Sequence, residues 1–313
     1  MTRPVAPLRL QPLTRARIRA LGDEGSAWEA RLPRLLSELA AEWSLTLGGP
    51  KPGGSSSYVT SARTGAGGEV VLKVSLPDPQ LVHEADTLRR ADGRGYVRLL
   101  AADPGRGALL LEALGVSLQH ATLPVPDQLA LLADTLALAW QPADEHPDAA
   151  RDKARDLGDF VAQAWIEQDR PCPEAVVDRA LTYAQRRRSD PGEPVFLHGD
   201  PHPGNLLAVP SGRPGGETGW CFIDPSGFVA DRAYDLGVVL RDWSGRLAGS
   251  GARPRLAQWC RLLAERSGVD ATRIWEWSYL ERVSTGLYLR SFGADRAGAP
   301  FLRSAELLLD ANC

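Results

Sequence analysis

The sequence predicts an α+β chain of two lobes, a β-rich N-terminal lobe over residues 1–112 with a helical extension at its start, and a mainly helical C-terminal lobe over 113–313. Three observations carry that expectation. Apolar runs at 69–75, 97–101 and 108–112, rich in β-branched residues at the first, lie between Gly- and Pro-containing turns and read as strands. From Pro126 onward, apolar residues recur at three- and four-residue intervals over 126–140, 148–168, 173–188, 233–243, 253–267, 270–290 and 300–311, separated in part by Pro-containing breaks. Inside that helical half, short apolar runs at 195–197, 206–209 and 220–223 give strand, loop, strand, turn, strand.

In chain order, Leu47 to Tyr58 is a Gly/Pro/Ser loop. Glu69 to Ser75 is a strand with Lys73 inside it, where a charge is out of place without a partner. Asp78 to Arg90 is a helix with Asp78 as N-cap, Pro79 in the first turn and an apolar stripe of Leu81, Ala85 and Leu88. The strands 97–101 and 108–112 join across Asp103-Pro-Gly-Arg-Gly107, and 113–117 connects the lobes. The longest apolar tract, Leu129 to Trp140, is interrupted by Asp134, is too short to span a bilayer and reads as a core helix. Two prolines and two glycines in His198-Gly-Asp-Pro-His-Pro-Gly-Asn205 exclude a helix and predict a tightly wound loop.

That loop and the strand after it speak chemistry directly. Asp200 lies in the loop, Asn205 closes it, and Asp224 ends the next apolar run. Together they are what a phosphoryl-transfer enzyme needs. A hard divalent cation takes oxygen ligands, and beside phosphates and water it needs only one or two carboxylates. Asn205 and Asp224 are the candidate magnesium ligands, and Asp200 the acceptor for a substrate hydroxyl proton. A single Asn/Asp/Gly-rich loop could merely make turns, but a second aspartate at the end of its own strand argues against that reading.

Catalytic Asp, Asn five residues on, and metal-binding Asp beyond a hairpin resemble the catalytic and metal-binding segments of the protein kinase-like enzymes. With His-Gly-Asp in place of His-Arg-Asp and His202 between Asp and Asn, the segment is similar to the aminoglycoside phosphotransferase superfamily. The resemblance implies the two-lobed protein kinase-like fold, with ATP and Mg²⁺ as cofactors. It also implies a phosphate-covering loop, for which Gly53, Gly54 and Ser55 are the candidates, although taken alone a plain hairpin loop is the better reading of them. Lys73 and Glu84 would form the clamp on the phosphates. The strand lysine stands out because only Lys51, Lys73 and Lys153 are lysine among 36 basic residues. Backbone groups at Glu112 and Ala113 would hold the base. His198 would bond within the loop, and Asp235 would anchor it. Arg-Gly-Tyr-Val-Arg-Leu-Leu100, Ala-Leu-Leu-Leu-Glu112 and Ile-Asp-Pro-Ser-Gly-Phe-Val229 narrow the resemblance to the streptomycin 6-phosphotransferase and hydroxyurea phosphotransferase group, from about Leu47 to about Phe292. The glycine loop departs from the protein-kinase pattern, and Pro201 is an unusual neighbour for a catalytic Asp.

Composition fits such an enzyme. Across 313 residues, 43% are hydrophobic, enough for two cores, and a net charge of −3 gives no footprint for nucleic acid. Met1 to Ala20 lacks the continuous apolar core of an export signal, so a cytoplasmic, monomeric protein without a membrane partner is expected. The cysteines at 172, 221, 260 and 313 have no Cys-x-x-Cys spacing and suggest neither zinc nor a disulfide framework. For the acceptor, Trp277, Glu281, Ser284 and Tyr288 share one helical face, and with Asp231, Asp242 and Glu276 they could meet a cationic, hydroxylated small molecule. For that helix an ordinary core face with Glu281 at its edge is the favoured reading. The resemblance favours a streptomycin-like antibiotic. Hydroxyurea, a metabolic sugar or amino alcohol, or a catalytically silent nucleotide-binding role are the alternatives.

Overall fold

The computed structural model describes residues 8, 10–51, 56–77, 82–143 and 150–309. Its chain divides into two compact units, one of residues 1–93 and 97–115, the other of 94–96 and 116–313.

In the first unit, α1 (Pro12–Ala20) and α2 (Gly22–Glu42) precede a five-stranded antiparallel sheet. Its strands are β1 (Leu45–Pro50), β2 (Ser57–Thr64), β3 (Glu69–Ser75), β4 (Leu99–Asp103) and β5 (Ala108–Glu112), in the order β1-β2-β3-β5-β4. Helix α3 (Val82–Ala91) lies between β3 and β4 in the chain. Leucines 32, 35, 36 and 39 recur at helical spacing on α2 and are buried with Trp28 against Tyr58, Leu72 and Val74 of the sheet. Each such leucine contributes ~1.5–3 kcal/mol on burial, so α2 is part of the core and not an appendage. The Trp28 indole N–H also donates to the Ser75 carbonyl at 2.8 Å. Lys73 sits on the central strand β3, opposite Val59 on one side and Leu109 on the other. The β4–β5 turn is closed by Asp103, whose carboxylate accepts the Arg106 N–H at 2.9 Å, and by Gly107 at φ +66°. The expected cap and first turn of α3, Asp78 to Leu81, and the glycine-loop residues Gly53, Gly54 and Ser55 lie outside the described residues.

The second unit contains α4 (Val125–Ala139), β6 (Gln141–Pro142), α5 (Lys153–Glu167), α6 (Glu174–Ser189), β7 (Pro194–Leu197), β8 (Leu206–Ala208), β9 (Trp220–Phe222) and β10 (Phe228–Asp231). Then follow α7 (Ala233–Val239), α8 (Ala252–Ser267), α9 (Ala271–Ser291) and α10 (Asp295–Leu307). Strand β7 is flanked by β10 and β6, while β8 and β9 form a separate hairpin. Helix α9 packs against α5, α6, α7, α8 and α10 and is buried along most of its length. No helix of the described residues is long and apolar enough to cross a membrane.

Three helices differ from the sequence expectation: the one expected over 148–168 starts only at Lys153, after a bridge at Ala150 and the Asp152 cap, and two more change at an end. The helix predicted over 233–243 ends at Val239 and continues as a 3₁₀ segment, Arg241–Arg246, with a kink at Trp243. The helix predicted from Pro300 starts at Asp295 and carries Pro300 inside it. Proline's fixed φ is compatible with a helix, at the loss of one backbone bond. Close packing offsets that loss, because Gly298 lies so near α9 that a Cβ there would come within 2.5 Å of the Gly286 carbonyl.

Candidate active site

The backbone of the 198–205 loop is tied down by side chains. Asp235, fully buried in the first turn of α7, accepts the Gly199 N–H at 2.8 Å on Oδ1. Its Oδ2 accepts the His198 N–H at 3.0 Å and the Trp140 indole N–H at 2.9 Å. Burial raises the Asp235 pKa to about 6 despite these three donors, which pull it the other way. Gly199 turns the chain at φ +86°, and a Cβ there would meet Phe228 Cε1 at 2.6 Å, so only glycine fits.

His198 is the second tie. Its Nδ1 accepts the Asp200 N–H at 3.1 Å and its Nε2 donates to the Ile223 carbonyl at 3.0 Å, which fixes the neutral Nε2–H tautomer. Burial lowers its pKa to about 4, in agreement with that tautomer. The ring stacks on Tyr96 at 5.8 Å and meets Phe222 edge-on at 4.7 Å. His202 is set likewise: Nδ1 accepts the Gly204 N–H at 3.1 Å, which leaves Nε2 3.7 Å from Asp200 Oδ2.

The candidate metal ligands are brought together by strand register. Leu206 pairs with Phe222, and the Ile223 N–H donates to the Asn205 carbonyl at 2.9 Å, so Asp224 is the next residue after the bond to Asn205. Asn205 Nδ2 donates to the Asp200 carbonyl at 3.1 Å, which assigns the amide nitrogen to the loop. Asp224 adopts φ +57°, a left-handed conformation that aspartate tolerates better than most residues. Among the described residues, no group of three or more His, Cys, Asp or Glu could hold a metal alone. Two oxygen-bearing side chains at one hairpin end do suit a hard cation that is also held by phosphates.

Asp200 has a partner that sequence reading missed. Arg241, the first residue of the 3₁₀ segment, puts Nη2 2.6 Å from Asp200 Oδ1. Burial pushes the Asp200 pKa up, but Arg241 first, then His202 and His198, outweigh it and hold the carboxyl at about 2. Arg241 also lies 3.6 Å from Glu281 and 3.5 Å from Asp242. The only sequence signal was an arginine six residues past Asp235, and its placement follows from the helix tightening into 3₁₀.

In the first unit, Lys73 Nζ donates to both Glu84 oxygens, at 2.8 and 2.6 Å, and both side chains are buried. The Glu112 carboxylate and N–H are used by Arg98 N–H and carbonyl at 2.7 and 3.1 Å, and Ala113 follows outside the strand.

Of the two readings of the α9 face, the core face is the one its burial supports, and the acceptor alternative is not met there. Trp277, 2% exposed, donates to Asp231, which also accepts the Ala233 N–H, and Glu281 accepts the Tyr234 hydroxyl at 2.7 Å. Glu276 is buried 2.7 Å from Arg187. Tyr288 stands apart, packing on Phe292 and Phe160. Asp242 is different: at 34% exposed it lines a cleft of about 750 Å³ with Gln128, Pro203, Trp243 and Trp259, and so borders the 198–205 loop.

A sheet unit with a buried Lys–Glu pair and a helical unit with the Asp-x₄-Asn loop and a hairpin-borne Asp define a small-molecule phosphotransferase of the two-lobed protein kinase-like fold. A solved structure of the choline/ethanolamine kinase family from Mesorhizobium loti shares that fold at a TM-score of 0.61, with 17% identity over 90% of this chain and 95% of its own. The model of the aminoglycoside/hydroxyurea antibiotic resistance kinase family matches residues 42–293, and the chain belongs to that family. It is similar to a streptomycin 6-kinase of Streptomyces glaucescens, 33% identical over 89% of each chain. It is also similar to a hydroxyurea phosphotransferase of Kitasatospora aureofaciens, 29% identical over 72% of this chain and 65% of that one.

Proposed function

We propose that this kinase transfers the γ-phosphoryl group of ATP, with Mg²⁺, to a hydroxyl of an aminoglycoside-type antibiotic, streptomycin being the first acceptor to test. The observation that carries the reading is the state of Asp200: a carboxylate held ionised, with Oδ1 bonded to Arg241 at 2.6 Å, in a loop fixed by Asp235 and His198. Asp200 orients the acceptor hydroxyl. As the hydroxyl oxygen forms the new bond to phosphorus, its proton passes to Asp200, and the bond to the bridging oxygen breaks with its electron pair on ADP. Asn205 and Asp224 would hold Mg²⁺, which supplies charge neutralisation on the phosphates when bound. Lys73, kept in place by Glu84, would bind phosphate oxygens, with Gly53, Gly54 and Ser55 the candidates to cover them, and the Glu112 carbonyl and Ala113 backbone would hold the base, the Glu112 N–H being bonded to the Arg98 carbonyl. The rate enhancement comes from positioning and electrostatics, since the transferred group is loosely bonded in its transition state. The acceptor sits in the cleft lined by Asp242, Trp243 and Trp259 together with Arg246 and Arg255, a mixed lining in which Asp242 is the carboxylate open to a cationic group of the sugar.

The purified chain with MgATP and streptomycin, hydroxyurea, simple sugars and amino alcohols, followed by product mass spectrometry, tests this. Streptomycin is expected to gain one phosphate, and D200N to abolish the gain. Product from hydroxyurea, the second reading that the Kitasatospora relative favours, or from a sugar or amino alcohol alone would refute the acceptor. No product from any acceptor would refute the activity.

A further inference from the structure

Two consecutive residues of α9 reach under the 3₁₀ segment that carries Arg241. Glu281, buried and bonded to the Tyr234 hydroxyl at 2.7 Å, faces Arg241 Nη1 at 3.6 Å. Arg282, fully buried, donates through Nη2 to the Leu240 carbonyl at 3.2 Å and through Nη1 to the Ser244 and Ser304 hydroxyls. Among the described residues no carboxylate pairs with Arg282, and burial draws its pKa down to about 10. A guanidinium buried without an ion-pair partner is costly to the fold, and a protein that keeps one gains something else from it. What Arg282 holds is the Leu240 carbonyl, just before Arg241, and the Ser244 hydroxyl, which in turn donates to the Arg241 carbonyl at 2.7 Å. The 3₁₀ segment is pinned from beneath at two points, and Arg241 is held between them.

We propose that Arg241 is a positioning residue for Asp200, and that Glu281 and Arg282 form the frame that fixes Arg241. The inference rests on Asp200 being the proton acceptor. Arg241 occupies Oδ1, and His202 Nε2 stands 3.7 Å from Oδ2. With Oδ1 engaged, the carboxylate plane is set and Oδ2 is the oxygen presented to an acceptor hydroxyl. Arginine suits this because its planar fork can meet Asp200 on one edge while Glu281 and Asp242 meet the other nitrogens. Without it, the Asp200 carboxylate rotates about its last bond, and the hydroxyl binds but is misaligned.

The test uses the full chain as wild type, D200N, R241A, R241K and E281Q, assayed with MgATP and streptomycin and, in parallel, for MgATP hydrolysis with water as acceptor. For R241A the expected result is a kcat lower by about a hundredfold, the scale of a misplacement near 1 Å, with KM for nucleotide and acceptor unchanged. R241K recovers part of the loss, E281Q loses less than R241A, and added guanidinium at concentrations far below those that unfold proteins restores R241A but not D200N. Wild-type kcat in R241A and E281Q overturns the proposal, as does a loss that sodium chloride repairs as well as guanidinium. If R241A does not fold, the same kcat and KM criteria are read from R241K and E281Q. Equal rates in wild type and D200N would instead remove Asp200 as the base, a separate outcome from an inert Arg241.

Discussion

Asp235→Asn separates what a buried carboxylate costs from what it does. Asp235 has an ordinary pKa of 3.8 that burial raises to about 6 in the folded protein. A carboxyl whose folded pKa lies above its unfolded value stabilises the protein fully below the unfolded pKa and loses that contribution as pH rises through the folded one. The whole span is worth on the order of 3 kcal/mol, and about 1.4 kcal/mol of it is lost between about pH 5 and pH 7.5. Asparagine removes the charge and its desolvation cost. It also offers one oxygen where three donors converge, so its NH₂ faces a backbone N–H and leaves one donor unsatisfied, at ~1–3 kcal/mol. At about pH 7.5 the two effects nearly cancel, and D235N should unfold in urea close to wild type. At about pH 5 the variant should fall behind by about 1.4 kcal/mol more. Activity should not share the cancellation: with the His198 and Gly199 amides loosened, Asp200 shifts and kcat drops by about a hundredfold. Urea unfolding at both pH values, with kcat at the higher, gives all three numbers. A stability gap that is independent of pH, or that narrows toward acid, would refute the raised pKa. An unchanged kcat would refute the bracing role.

Three further perturbations follow from the same site. D200N should cost kcat about 10²–10⁴-fold, the range of general-base catalysis, and lower the thermal midpoint modestly, since Arg241 loses its 2.6 Å partner but keeps Glu281 and Asp242 beside it; a folded, fully active D200N would contradict it. K73M should lower stability by ~3–5 kcal/mol, because Glu84 is left buried without its cation, and K73M/E84L should restore the fold but not nucleotide binding. Calorimetry and nucleotide titration read the two effects apart. G199A forces a Cβ into Phe228 and a left-handed φ on alanine, with an expected loss of ~1–3 kcal/mol together with most of the activity. A stable, active G199A would show that the loop can rearrange.

The sequence exposed the parts of the site whose geometry is local. Pro and Gly fix the 198–205 loop by backbone sterics, strand alternation isolates Lys73, and a three-residue hairpin sets Asn205 beside Ile223, so these were legible from neighbours in the chain. Arg241 was not legible, because its contact to Asp200 depends on a helix ending four residues early and on Arg282 reaching across from α9. For Trp277 and Glu281 the sequence left a core face and an acceptor face both open for the same reason: periodicity places them on one stripe, and only tertiary packing decides which side of the molecule that stripe meets. Pro300 inside α10 is a third case, where a close glycine crossing overrides a local helix breaker.

The scarcity of lysine gives Lys73 a value outside catalysis. A chain with 36 basic residues and three lysines offers amine-reactive chemistry a very short list of side-chain targets: Lys51, Lys73 and Lys153. Lys73 is 4% exposed and ion-paired, so a general acylating reagent should pass it by. A reagent that carries a nucleotide and delivers an acyl group from its phosphate would reach that amine from the bound side. Peptide mapping after such labelling would register occupancy of the phosphate site at one residue, in a mixture of proteins and without knowledge of the acceptor.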